Sequence, residues 1–269
     1  GECNKSLTMK EITIEESKKI QLMILDSIDL FCKSNNLRYS LAYGTLLGAV
    51  RHHGFIPWDD DIDIMMPRPD YDKFLKLFKQ ENLKVQYYGN DKTCPMAFAK
   101  VIDNRTLVVQ PKNLFRTGIW VDVFPIDGYP NDDGGRYFKE ISQKVHSITK
   151  SRSLLRAEFF KPIHVLAFIV KHILDPRPRR NIIKDYESLV YSHDFENSDF
   201  LGCSCCMDGY NEIMPSDVFK KYIVLPFEGK EYSCIKEYDL FLKKMYGDYM
   251  SLPPIEEQVG HHDYKMYWK

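Results

Sequence analysis

The stretch Ser40–Ile64, SLAYGTLLGAVRHHGFIPWDDDIDI, constrains this chain more than any other, because it sets a glycine turn, a basic step and a run of aspartates within 25 residues. Four of the five residues from Asp59 to Asp63 are acidic, yet the run continues into Ile64, Met65 and Met66, so it heads into a core. Read as a strand, side chains alternate between faces, which sets Asp61 and Asp63 on one side and Ile62 and Ile64 on the other. Two carboxylates that close raise each other's pKa or demand a cation, and an oxygen-only donor set favours a hard divalent ion, Mg²⁺ or Mn²⁺. A solvated acidic turn is the plain alternative. Calcium storage is another: Asp59, Asp61 and Asp63 match the opening of an EF-hand loop, but Ile64 stands where glycine is needed and Asp70 where a bidentate glutamate is needed.

Upstream, Tyr39 to Ala42 reads as a short strand, Gly44-Thr45 as a turn and Leu46 to Arg51 as a short helix with Leu47 and Val50 facing inward. Strand, glycine turn and helix start form a phosphate-cradling order. The first N–H groups of a helix are unpaired and carry the positive end of its dipole, and the Thr45 hydroxyl adds a donor. An ordinary N-cap reads the same way, and the run is neither a Walker A loop nor GxGxxG. Its nearness to the aspartates is what points to an anion.

With 269 residues and 44% hydrophobic content the chain is folded and globular. Its 37 basic and 38 acidic residues give a net charge of −1, which provides no global field for nucleic acid. Seven cysteines, odd in number and irregularly spaced, argue for a reducing cytoplasm. Cys203, Cys205 and Cys206 lack the paired spacing of structural zinc. No signal-peptide pattern opens the sequence.

Thr13 to Asn36 reads as a scaffold helix with a Thr13-x-x-Glu16 capping box, and Asp70 to Gln80 as a second, introduced by Pro67-Arg68-Pro69. Strand-like stretches come next at Lys84–Tyr88, Ala97–Ile102 and Thr106–Val109. Within the second, Lys100 shares a face with Phe98 and Ile102 and needs an anionic partner, either Asp103 or a motif carboxylate in a salt bridge, or a phosphate. Along Gly118–Asp127, Trp120, Asp122 and Phe124 share a face, so Asp122 is a carboxylate between two aromatics that must be paired or bound to metal. From Asp132 to His193 the pattern is helical and broken by prolines. Ile163–Leu174 within it is apolar but too short to span a bilayer, which needs ~20 residues; a buried helix or a membrane-surface helix beside Arg177, Arg179 and Arg180 are the two readings. A hairpin from Val224 and a helix over Ile235–Tyr246 lead to an aromatic tail containing Tyr249, Tyr264, Tyr267 and Trp268, which packs on the body or offers cation–π faces. His262 is a structural histidine, a base or a phosphate contact.

GTLLGAVRHHGFIPWDDDIDI resembles the signature of the LicD family, which takes in the fukutin-like proteins and belongs to the DNA polymerase β-type nucleotidyltransferase superfamily. The resemblance extends to a K-V-x-D-like segment at Lys100, to D-V-F-P-x-D at Asp122–Asp127, and to the closing Tyr246-Gly247-Asp248-Tyr249-Met250, Pro253-Pro254 and His261-His262. It is weakest over Asp132 to Ser216.

That resemblance implies an α+β fold, a mixed sheet flanked by helices of the polymerase β type, with a helical insertion and a C-terminal extension. The expected division is a catalytic core at 1–130, a mainly helical insertion at 131–216 and a C-terminal segment at 217–269. It implies transfer of phosphocholine from CDP-choline to a hydroxyl of a cell-surface glycan of teichoic acid, lipopolysaccharide or capsule type, or of its lipid-linked precursor, releasing CMP. Asp61, Asp63 and Asp122 would hold Mg²⁺, with Asp127 a second candidate that could instead cap the strand end or bind the substrate by positioning the acceptor; Gly44, Thr45, Arg51 and Lys100 would steady phosphates; Asp122 would take the acceptor's proton. Transfer of ribitol phosphate from CDP-ribitol and a non-catalytic glycan- or calcium-binding module are the alternatives. The expected location is cytoplasmic, at the inner face of the membrane if contact with lipid is direct.

Overall fold

The computed structural model describes residues 9–109, 115–131, 134–151, 166, 169–170, 177–205, 210–260 and 264–269. The first helix, α1 (Ile14–Ser34), starts at Thr13, whose side-chain oxygen accepts the Glu16 N–H at 3.1 Å, as the capping box predicts. Ile20, Ile24, Leu25, Ile28 and Cys32 recur at helical spacing and are buried. They pack α1 onto the sheet.

The sheet is mixed and centred on a ten-residue strand. After β1 (Ser40–Leu41) come helix α2 (Tyr43–His52), strand β2 (Asp63–Pro67), helix α3 (Arg68–Leu77), and strands β3 (Leu83–Gln86), β4 (Ala99–Asp103), β5 (Thr106–Val109) and β6 (Trp120–Tyr129). The order is β1-β2-β6-β4-β3, with β2 parallel to β6 and the other pairs antiparallel. Every residue of β6 is buried, as a central strand covered on both faces requires. Its first half pairs with β4 and its last four residues with β7 (Phe200–Cys203), which in turn pairs with β8 (Met214–Pro215).

Helices α4 (Gly134–Lys150) and α5 (Arg179–Val190) pack on each other. The hairpin β9 (Tyr222–Phe227) and β10 (Lys230–Ile235) turns through Glu228 and Gly229, both at positive φ, and lies against α2. Helix α6 (Tyr238–Tyr246) comes next, and β11 (Lys265–Trp268) closes the described chain.

Three expectations shift. The helix expected from Leu46 begins at Tyr43, because the Leu46 N–H already bonds to Ala42 O at 3.0 Å; the Gly-Thr turn is therefore the first turn of α2. The strand expected to carry both Asp61 and Asp63 begins only at Asp63, although the ladder reaches one residue further through Asp122 N–H to Ile62 O at 2.9 Å. The aromatic tail does pack on the body, but as strand β11 antiparallel to β5. Among the described residues no helix is long and apolar enough to cross a membrane, and most of Ile163–Leu174 lies outside them.

Candidate active site

Asp63 and Asp122 face each other across the parallel β2–β6 pair, in direct register. The Asp63 N–H donates to Thr45 Oγ1 at 2.8 Å, which fixes the first turn of α2 against the start of β2. Gly44 is equally constrained: a Cβ there would stand 2.7 Å from Asp59 Oδ2. Each residue at the helix start thus meets a different part of the acidic loop.

Burial and its neighbours hold the Asp63 carboxyl well above the ordinary carboxylate range, desolvation first, then Asp61, Asp122 and Asp59, with Lys100 opposing them. Asp122 is raised as well, chiefly by burial, while Lys100 and the Trp120 indole favour its charged form. Lys100 Nζ donates to Asp122 Oδ1 at 2.6 Å, and Trp120 Nε1 donates to Oδ2 at 2.9 Å. The ammonium also lies 4.1 Å from the Trp120 ring centroid. So the partner that the Lys100 sequence demanded is a motif carboxylate; Asp103 is taken by Arg105.

Asp61, Asp63 and Asp122 are brought within electrostatic reach of one another. A tighter group adjoins them. Carboxylate oxygens of Asp59, Asp60 and Asp61 lie within 4.8 Å of one another and are half-buried. Asp59, Asp61 and Asp122 all act on the Asp63 carboxyl, and together the four aspartates make an oxygen-only, negative donor set that fits a hard divalent cation. Tyr264 borders this group, its ring 5.4 Å from that of Trp120 and its hydroxyl 3.5 Å from Asp60 Oδ2.

Other candidates stand elsewhere. Asp127 is five residues beyond Asp122 on β6 and so faces the opposite side of the sheet. There it accepts two hydrogen bonds from Arg68, Nε to Oδ1 at 2.6 Å and Nη2 to Oδ2 at 2.9 Å, and one from the Ser204 hydroxyl. Both side chains of the pair are nearly inaccessible. Arg51 donates through Nη1 to Tyr249 O at 2.6 Å and Ser251 O at 3.2 Å, fastening the 249–251 turn to the end of α2. His262 lies outside the described residues, as does Cys206. Cys203 and Cys205 are buried free thiols with sulfurs 3.9 Å apart.

Sequence reasoning overlooked Asp59, Trp120 as a hydrogen-bond donor, and Tyr43. Asp59 belongs to the same acidic run, and Trp120 is the i−2 strand neighbour of Asp122, so both carried a signal. Tyr43 carried none.

Aspartates from two adjacent parallel strands thus meet beside a helix start. The family described as LicD/FKTN/FKRP, nucleotidyltransferase domain, matches residues 36–177, more than half of the chain. The chain belongs to the LicD family. The lipopolysaccharide cholinephosphotransferase LicD of Haemophilus influenzae is 30% identical over 275 residues, covering 96% of this chain and 99% of its own. An uncharacterised protein of Rickettsia typhi is 39% identical over 84 residues, 29% of this chain and 27% of its own, and one of Rickettsia prowazekii is 33% identical over 127 residues, 45% of each.

Proposed function

We propose that this protein transfers phosphocholine from CDP-choline to a hydroxyl of a cell-surface glycan or its lipid-linked precursor, releasing CMP, on a polymerase β-type nucleotidyltransferase core. The observation that carries the reading is the acidic cluster, with the Lys100 ammonium on Asp122, beside the start of α2 in a chain similar over 96% of its length to a lipopolysaccharide cholinephosphotransferase. Lipopolysaccharide is the acceptor class favoured by that likeness.

In this reading Asp61 and Asp63, with Asp59 beside them, would hold Mg²⁺, and Asp122 would complete the set. The bound ion would supply Lewis-acid polarisation of phosphoryl oxygens and offset charge on the departing CMP. The protein's own groups do the rest. Gly44 leaves room for Asp59 and lets backbone approach the donor, and the positive end of α2 faces the phosphates. Lys100 and Trp120 fix the Asp122 carboxylate in one orientation, and in this reading that carboxylate takes the proton of the attacking hydroxyl. The acceptor oxygen forms its bond to the choline-bearing phosphorus as the bond to the CMP oxygen breaks. A location at the inner face of the membrane suits a lipid-anchored acceptor.

The test is release of CMP from CDP-choline in the presence of Mg²⁺ and lipopolysaccharide, with CDP-ribitol and Ca²⁺ in parallel. Lipopolysaccharide-dependent CMP release from CDP-choline that disappears in Asp61→Asn/Asp63→Asn supports the reading. Consumption of CDP-ribitol alone would move the assignment to polyol phosphate, and Ca²⁺ binding without any turnover would make the protein a binding module.

A further inference from the structure

Tyr43, the first residue of α2, has φ of +46°. A residue with a Cβ is disfavoured in the left-handed region, and a bulky one persists there only where its surroundings hold it. Three contacts do so. The Tyr43 hydroxyl donates to Glu212 Oε2 at 3.0 Å, with both residues buried; its ring meets Phe124 edge-on at 5.3 Å; and Phe241 lies 6.0 Å away. Phe124 is two residues beyond Asp122 and on the same face of β6.

The next two residues of α2 carry this placement into the acidic cluster. Gly44 abuts Asp59, and Thr45 accepts the Asp63 N–H, while Tyr43 itself rests on the strand that bears Asp122. Ala42 provides no side-chain cap for this helix, and the positive end of a helix dipole favours an anion. A rotation at Tyr43 would move all three contacts at once.

We propose that Tyr43 and Glu212 are positioning residues for the donor's diphosphate, their hydroxyl-to-carboxylate bond holding the start of α2 in the shape that receives it. Glu212 belongs to the short turn Tyr210–Glu212, just ahead of β8, which reaches β6 through β7. The shape of the phosphate turn is thereby set by chain 169 residues away in sequence. This rests on the reading that the site takes a CDP-linked donor.

The experiment compares wild type, Tyr43→Phe and Glu212→Gln by calorimetric titration with CDP-choline and, separately, with inorganic pyrophosphate, both with Mg²⁺, alongside steady-state kinetics and thermal melting. Tyr43→Phe keeps the ring and loses the hydroxyl; about a five- to tenfold rise in donor Kd and KM, with kcat at saturating donor within about twofold, is expected from the loss of one orienting hydrogen bond. Glu212→Gln still accepts from the tyrosine and stays within about twofold of wild type throughout. A Tyr43→Phe protein that melts lower yet binds both ligands as wild type does would show a purely structural bond and overturn the proposal, as would a fall in kcat with unchanged KM. A Glu212→Gln variant as weak as Tyr43→Phe would overturn it too. If wild type ignores CDP-choline but binds pyrophosphate, the donor reading fails by itself, and the pyrophosphate ratios between variants still decide the role of Tyr43. Wild type that binds neither overturns both.

Discussion

Lys100 and Asp122 meet at 2.6 Å on neighbouring antiparallel strands, directly opposite in register, with the indole of Trp120 under the ammonium and bonded to the other carboxylate oxygen. One cation thus serves a carboxylate that the surrounding aspartates would otherwise crowd. Breaking a buried pair by removing one partner costs about 3–5 kcal/mol, because the remaining charge is left unpaired. Lys100→Met should therefore lower the metal-free unfolding free energy by roughly that amount, and adding Asp122→Asn in the same chain should recover part of it. Urea denaturation at neutral pH decides. A Lys100→Met protein as stable as wild type would mean that solvent already compensates Asp122.

Gly44 makes a different demand. A methyl group there would press on Asp59 Oδ2, the far end of a side chain that can swing away. Gly44→Ala should accordingly change stability by less than about 1 kcal/mol while displacing an oxygen from the cluster, so that Mg²⁺ affinity and turnover each fall on the order of tenfold. Melting curves and Mg²⁺ titration of activity separate the two effects. Unaltered Mg²⁺ dependence would remove Asp59 from the site.

Much of this site was legible because its residues are neighbours in sequence or along one strand. The WDDDIDI run, the Thr13 capping box and the Trp120-Asp122-Phe124 alternation each needed only local spacing. What escaped depends on partners brought from afar. Asp127 and Arg68 find each other across 59 residues, on the face of the sheet away from Asp122; local sequence left Asp127 open as a second metal candidate, a strand cap or an acceptor contact, and could not announce its arginine. Strand β11 exists because β5 offers it a free edge, and Lys-Met-Tyr-Trp shows too short an alternation to announce that. Tyr43 takes a left-handed backbone that tyrosine does not ordinarily choose, so no propensity scale could signal it.

The Arg68–Asp127 pair yields a prediction of opposite character. Its guanidinium and carboxylate are almost fully enclosed and bidentate, on the face of the sheet away from Asp122. Asp127→Asn should destabilise by about 3–5 kcal/mol through the unpaired arginine, yet the folded fraction at low temperature should turn over donor at a rate near wild type. Specific activity normalised to folded protein by circular dichroism makes the measurement. A large loss of kcat in fully folded Asp127→Asn would return this residue to the active site.

The aspartate cluster should also trade stability against function. Asp63 is half-buried beside Asp61, Asp122 and Asp59 with Lys100 as the opposing charge, an arrangement that favours removal of one negative charge or addition of a cation. Asp63→Asn should thus melt higher than wild type when metal is chelated, by about 2–4 °C for each kcal/mol of relieved repulsion. Saturating Mg²⁺ should raise the wild-type melting temperature, since a ligand at about 100 times its Kd stabilises by about 2.7 kcal/mol, and should leave Asp63→Asn almost unmoved. Activity should run the other way, with Asp63→Asn down by about a hundredfold or more, on the order expected when a residue acting on transition-state charge is lost. Differential scanning with chelator and with Mg²⁺ reads both signs. If chelated Asp63→Asn melts below wild type, the carboxylate's own hydrogen bonds outweigh the repulsion, and the cluster is stabilised by the protein rather than held ready for a cation.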